Sequence, residues 1–268
     1  MVRLSERLLA IASCIKKGES IADIGTDHGL LPIFLHENDI CSKYILCDIN
    51  EGPLLKAREN IERHILGAPM DLRLGDGFSL IDKGECDCAV IAGMGGKLII
   101  SILENDMDKT MSFKKLILQP RNAQEKLREW LYTKGFTILD EHLAREGRYI
   151  CEIIVATRAG VGLEEESKSV VLSIDKDLIF EISNLLIIKK DPLIFDLIQQ
   201  KINIERDILS EIYRGGGGKS DRLPDVQRRL DLLEKLLQDL TLEIPCDAEI
   251  KDYANYKGER KTENGGVR

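Results

Sequence analysis

The sequence predicts an α/β fold: a parallel sheet of five strands closed by a C-terminal β-hairpin, followed by a smaller α-helical coiled-coil domain. Three observations predict it. Short β-branched runs alternate with amphipathic helical segments from Ser20 to about Thr157, which is the signature of a parallel sheet covered by helices on both faces. The last two strand runs of that half flank Glu146-Gly147 with no helix between them, as in a hairpin. After Gly160 the strand signal gives way to two heptad seams.

The elements follow in order. SIADIG (20–25) is the first strand run, ended by Gly25, and LLPIFLHEN follows as a helix with Pro32 early in it, where the missing N–H is tolerated. KYILCDI (43–49) and MDLRL (70–74) flank the helical stretch PLLKARENIERHIL. CDCAVIAG (86–93) leads into the helix GKLIISILEN, and KKLILQP (114–120) leads into NAQEKLREWLYTKG. FTILDEHLAREGRYICEIIVATR supplies the hairpin.

In the second half, Phe195, Ile198, Ile202, Glu205, Leu209 and Ile212 keep 3,4 spacing, interrupted only by Glu205. Leu223, Val226, Leu230, Leu233, Leu237 and Leu240 keep it throughout. The two seams match in length, about 26 Å at ~1.5 Å per residue. Joined by RGGGGKSDRLP, they should fold back as an antiparallel hairpin. The expected domains are therefore residues 1–160, residues 161–246 and a polar, disordered tail at 247–268.

Composition narrows the function. Of the 268 residues, 43% are hydrophobic and 31% charged, a soluble globular balance, and no window is apolar enough to span a membrane. A cytoplasmic protein is expected. The seven cysteines (14, 41, 47, 86, 88, 151 and 246) include no C-x-x-C pair, and Cys86 and Cys88 alternate along a strand as reduced core thiols. His28, His36, His64 and His142 form no i, i+4 zinc pair, so no metal is expected. The net charge of -8 excludes a broad basic surface, so any nucleic-acid contact must use a local patch. GGGGKS fails as a phosphate loop, because Tyr213 stands where the first glycine should be and a helix precedes it.

The first glycine loop selects a ligand class by charge. IADIGTDHGLLP runs from strand to helix through Gly25 and Gly29, as a nucleotide-binding turn requires, but it is not G-x-G-x-x-G. Asp27 sits in its centre. A carboxylate there would repel a pyrophosphate, at ~4 kcal/mol for unit charges 4 Å apart and an effective dielectric of ~20. It suits S-adenosylmethionine, which carries a sulfonium and no phosphate. Asp23, Asp48 and Asp76 fall at the carboxyl ends of successive strands, with Asp48 placed to meet ribose hydroxyls and Asp76 an adenine edge.

With DIGTDHG, Asp48 and GDG (75–77) in place, the chain resembles the class I S-adenosylmethionine-dependent methyltransferases, whose Rossmann-like sheet the strand pattern matches. LSERL (4–8), ADIGTDHGLLP (22–32), IAGMGG (91–96), ILQP (117–120), LREWL (127–131) and the helical domain resemble, more closely, the bacterial tRNA (adenine-22-N1)-methyltransferase family. The resemblance implies methyl transfer from S-adenosylmethionine to N1 of an adenine in the D-arm region of tRNA. It implies cofactor contacts from Asp23, Gly25, Asp27, His28, Gly29, Asp48, Ile49, Asp76, Gly77, Ala92, Gly93, Met94 and Gly95. Substrate contacts are expected from Ser5, Arg7, Lys97, Gln119, Pro120 and Arg121.

Asp27 is the candidate catalytic carboxylate, or else it only orders the cofactor and its loop. Arg128, on LREWL, is read as a charge facing the substrate side. Partners are tRNA, with no metal and no membrane, and a monomer is favoured. Two other readings stay open at this stage, an NAD-dependent oxidoreductase and a noncatalytic scaffold of the same fold. The glycine loop at 92–96 replaces the Asn/Asp-Pro-Pro-aromatic string common in enzymes that methylate exocyclic amines, which is consistent with a ring-nitrogen acceptor.

Overall fold

A computed structural model describes residues 1–159, 178–214 and 220–243. The GGGGKS linker glycines, Cys246 and the polar tail lie outside these residues. α1 (Glu6–Ser13) precedes β1 (Ser20–Ile24), α2 (Leu30–Glu37), β2 (Lys43–Asp48), α3 (Glu51–His64) and β3 (Met70–Leu74). β4 (Cys88–Met94), α4 (Gly96–Asn105), the single turn α5 (Met107–Thr110), β5 (Lys115–Pro120) and α6 (Gln124–Thr133) follow. β6 (Phe136–Glu146) and β7 (Tyr149–Arg158) form the hairpin, and α7 (Asn184–Ile188), α8 (Ile194–Arg214) and α9 (Leu223–Glu243) form the helical part.

The sheet order is β3-β2-β1-β4-β5-β7-β6, parallel through β5, with β7 antiparallel to both neighbours. Period-2 alternation divides the strand residues between two cores. Ala22, Ile24, Ala89, Ile91, Leu116 and Leu118 face α4 and α6, where Ile99, Leu103, Leu127 and Leu131 are buried. Ile21, Leu46, Cys88, Val90 and Ile117 face the other layer, with Ile11, Leu31, Ile33 and Ala57. Cys86, just before β4, and Cys88, its first residue, are buried and free, but on opposite sides of the sheet rather than on one strand face.

α8 and α9 pair along the expected seams, with Ile198, Ile202, Val226, Leu230, Leu233 and Leu240 buried. The lone acid in the seam has a partner: Glu205 accepts hydrogen bonds at both oxygens from Arg229 of α9, at 2.9 and 3.0 Å. The helical part does not stand free. Leu143 of β6 and Ile150 of β7 share a core with Leu178, Ile182, Leu186 and Leu197, and Gln200 of α8 accepts from the Ile150 N–H at 2.8 Å.

Beneath that contact lies an ionic cluster that corrects the expectation for Arg128. Its side chain is 2% exposed, so it does not face a substrate. It donates to Glu141 at 2.8 Å, to Glu152 at 2.5 Å and to the Phe180 carbonyl at 3.1 Å, while Lys201 of α8 reaches Glu152 at 3.4 Å and Glu181 at 2.6 Å. Helical periodicity cannot tell an arginine that snorkels to solvent from one that finds carboxylates on a distant strand.

Candidate active site

β1 is the switch point of the sheet: the chain leaves it toward β2 on one side and later fills β4 on the other, the place where open α/β sheets take their ligands, above the carboxyl ends of the strands. Two glycine loops meet there. In the first, Gly25 (φ +73°) and Asp27 (φ +47°) both adopt left-handed backbone. Aspartate tolerates that region better than most residues, and such strain recurs at functional sites. Asp27 is exposed on the loop, with one carboxylate oxygen 3.6 Å from Nε2 of half-exposed His28.

The second loop lies directly against the first. The Met94 methyl packs directly over Gly25, where a Cβ would displace it, and the φ of +73° at Gly25 favours glycine. Gly93, at a bulge in β4 with φ +77°, donates its N–H to Gln119 Oε1 at 3.0 Å. The Arg121 N–H donates to the Met94 carbonyl at 2.7 Å, and Gly96 N–H to the Asn122 carbonyl at 3.0 Å. IAGMGG and ILQP are thus stitched into one surface, a bulge re-aiming the strand end at the crevice.

The other expected residues take several positions. Asp48 is buried at the end of β2, its Oδ1 accepting from the Asn50 N–H at 2.8 Å, with Ile49 beside it 63% exposed, an apolar surface at the crevice edge. Asp76 is exposed and Gly77 half-buried after β3, while Lys97 is exposed on the first turn of α4. Ala92 is half-buried, and Gly29 precedes α2 without a side-chain cap. Gln119 and Pro120 are buried, so they shape the loop from beneath. Ser5 is the N-cap of α1, accepting from the Leu8 N–H at 3.3 Å. Arg7 donates to Glu146 at 2.8 Å and to Gln119 at 3.2 Å, and the Arg7 and Arg121 guanidinium groups both lie beside Gly93. Glu146, at the hairpin tip, was missed in sequence because a strand-end acid carries no local signal.

Asp23 stands apart from the open crevice. It is 6% exposed and accepts from Thr26 Oγ1 at 2.7 Å, bracing the loop from behind. Burial pushes its carboxyl up to about 6, against the pull of the Thr26 hydrogen bond and with Asp48 adding to the rise. An acid whose folded pKa exceeds its unfolded one costs stability as pH climbs between the two values, here from about 3.8 to about 6. Above that window the cost is on the order of 3 kcal/mol. Asp23→Asn is expected to raise the melting temperature at pH 7 and leave it unchanged at pH 3.5, measured without ligand; a lower melting temperature at pH 7 would show that the charge is compensated.

The donor set fits S-adenosylmethionine. Asp27, Asp48 and Asp76 stand at or just beyond the carboxyl ends of β1, β2 and β3, and the glycines of the two loops let a ligand approach the backbone closely. A pyrophosphate would meet Asp27. Among the described residues no group of histidine, cysteine and carboxylate side chains could hold a metal ion, and no helix is long and apolar enough to cross a membrane.

Fold and site together define a methyltransferase domain, and the family described by that name matches residues 4–154. The tRNA (adenine(22)-N(1))-methyltransferase of Bacillus subtilis (strain 168) is 41% identical over 155 residues, 58% of this chain and 65% of that protein's length. The solved B. subtilis m1A22 tRNA methyltransferase TrmK is 31% identical with a TM-score of 0.72, covering 88% of this chain and 100% of its own. TrmK of M. capricolum, solved with S-adenosyl-homocysteine, is 26% identical with a TM-score of 0.69, over 88% and 98% of the two chains. The chain belongs to the bacterial tRNA (adenine-22-N1)-methyltransferase family.

Proposed function

We propose that this chain transfers a methyl group from S-adenosyl-L-methionine to N1 of adenine 22 in the D-arm region of tRNA. The observation that carries the reading is the closure of the two glycine loops at the switch point, with Asp27 exposed on one and the Arg7 and Arg121 guanidinium groups beside the other. Membership of the family supports the nucleotide, and the acidic crevice supports the cofactor over a dinucleotide. A monomer acting in the cytoplasm fits a crevice built from one chain.

When bound, S-adenosylmethionine supplies a methyl group activated on a cationic sulfur. Asp48 would hold its ribose hydroxyls, with Ile49 against the adenine face and Asp76 at its edge. Adenine N1 carries an in-plane lone pair and surrenders no proton before attack, so alignment and exclusion of water carry most of the catalysis. Asp27 would face the positive charge that grows on the base as the N1–methyl bond forms, and accept a hydrogen bond from its acidified N6. N1 lies on the Watson–Crick edge, so the base must leave its pairing to enter. Arg7, Lys97 and Arg121 would then meet the displaced backbone, a local basic rim on an acidic protein.

Gly93 would form the floor of the methyl-transfer pocket. A Cβ there makes only ordinary contacts, the nearest being the Arg121 guanidinium at 3.7 and 3.8 Å, but the backbone of a valine would be forced out of φ +77°. Gly93→Val is expected to fold and to lose at least ~10-fold in methylation rate, in line with ~1–3 kcal/mol of backbone strain released by moving the loop. Intact methylation would remove the loop from the pocket. Mass spectrometry of unmodified tRNA incubated with the protein and S-adenosylmethionine tests the function as a whole. N1-methyladenosine at position 22 is expected, and its absence on a tRNA that a family member can methylate would overturn the reading.

A further inference from the structure

The tip of the β6–β7 hairpin carries residues that the methyl-transfer reading does not use. Glu146 and Tyr149 are the last pair of the register, joined through Gly147 and Arg148. Directly opposed residues of an antiparallel pair stand on the same face. Glu146 reaches Arg7 of α1 from that face, so Tyr149 stands on it too, and Cys151, next along it, is an electrostatic neighbour of Arg7 and Arg121.

Height places the tip over the crevice. Ile154 pairs with Leu118, two residues before β5 ends, so Tyr149 lies three positions beyond that end, about 10 Å above it at ~3.4 Å per residue. That is one or two nucleotides from the pocket. A line of hydrogen bonds, Glu146 to Arg7 to Gln119 to Gly93, ties the tip to the loop against which the base must lie.

The tip is also built as a platform. The Arg148 guanidinium lies 5.0 Å from the Tyr149 ring centroid and donates to its hydroxyl at 2.8 Å. A guanidinium over a ring is attractive and restrains its rotation. The ring is nonetheless 54% exposed, with the Arg148 guanidinium against it and Arg7 paired to Glu146, its cross-strand neighbour. An aromatic face with guanidinium groups around it is the chemistry that single-stranded RNA recognition uses, stacking for the base and charge for the phosphate.

We propose that Tyr149 is a stacking shelf for a nucleobase flanking the methylated adenine, steadied by Arg148 from one side and open to the base on the other. The shelf would hold the neighbouring nucleotide while the target base turns into the crevice. The proposal rests on tRNA being the substrate.

Tyr149→Ala and Tyr149→Phe, compared with the wild type in tRNA binding, in methylation kinetics and in S-adenosylmethionine affinity, test it. Stacking is worth enough that the alanine variant should raise the KM for tRNA about 10-fold, while phenylalanine, which keeps the ring, stays within about 3-fold. Cofactor affinity and melting temperature should not move, because the side chain projects into solvent. If the wild type methylates tRNA and Tyr149→Ala matches it, the shelf is wrong and the substrate reading stands. Equal losses in both variants would also overturn the shelf, since the ring would not be what matters. A wild type that binds no tRNA overturns both.

Discussion

Arg128→Ala is expected to lower the melting temperature by roughly 10 °C, the largest stability loss we anticipate from a single polar residue here. Removing one member of a buried ionic cluster strands the others, at a cost of ~3–5 kcal/mol, and each kcal/mol shifts a protein of this size by ~2–4 °C. Arg128 holds two carboxylates that are almost as buried as itself, 3% and 2% exposed, and the Phe180 carbonyl that begins the helical part. Burial pushes the Glu152 carboxyl up, yet Lys201 and Arg128 together hold it below the usual range. A depressed carboxylate contributes stability above its unfolded pKa and loses it as pH falls through the folded one, so the docking of α8 on the hairpin should loosen in acid.

A second variant separates stranded charge from lost packing. Arg128→Met combined with Glu141→Gln and Glu152→Gln removes the uncompensated carboxylates and should recover more than half of the loss. Calorimetric melts of the two proteins decide this. If the triple variant melts as low as Arg128→Ala, the cluster acts through shape and hydrogen bonding rather than through charge. Neither substitution touches the crevice, so S-adenosylmethionine affinity at low temperature should survive in both.

Asp27→Asn is expected to lower the rate of methyl transfer ~100-fold while changing S-adenosylmethionine affinity only a few-fold. The magnitude is that of removing one electrostatic stabiliser of a transition state, about 10²–10³. Asparagine keeps the size and also tolerates left-handed backbone, so the loop at φ +47° should keep its shape. Single-turnover rates with saturating cofactor, beside a calorimetric titration of the cofactor, separate the two possible roles. Weaker binding with an undiminished chemical step would make Asp27 a residue that orders the cofactor.

The five parallel strands, the hairpin and the paired helices were all legible in the sequence, because each rests on a local period. Runs such as KYILCDI and CDCAVIAG are buried on both faces and read as continuous apolar stretches. The 3,4 seams of α8 and α9 read as a pair because each needs the other to bury. Even the interrupting Glu205 had a partner, although only the register of the two helices identified it as Arg229. α7 was not foreseen, being a five-residue helix of which only Leu186 and Ile187 are buried, in the core shared with the hairpin. β4 also starts two residues later than its apolar run suggested.

At the site, the charge and glycine content of DIGTDHG determined the class of ligand, since electrostatic repulsion of phosphate needs only a carboxylate in the loop. Met94 against Gly25, Gln119 beneath Gly93 and Glu146 on Arg7 were decided by tertiary structure alone. Each joins residues 26 to 139 positions apart, and no period in the chain records where two loops will touch. The same holds for Arg128, whose apparent place on an amphipathic helix said surface, while two strands and a helix arriving from later in the chain made it a buried anchor. Local pattern sets which faces must be buried; which polar groups end up sharing that burial is settled only when the elements pack.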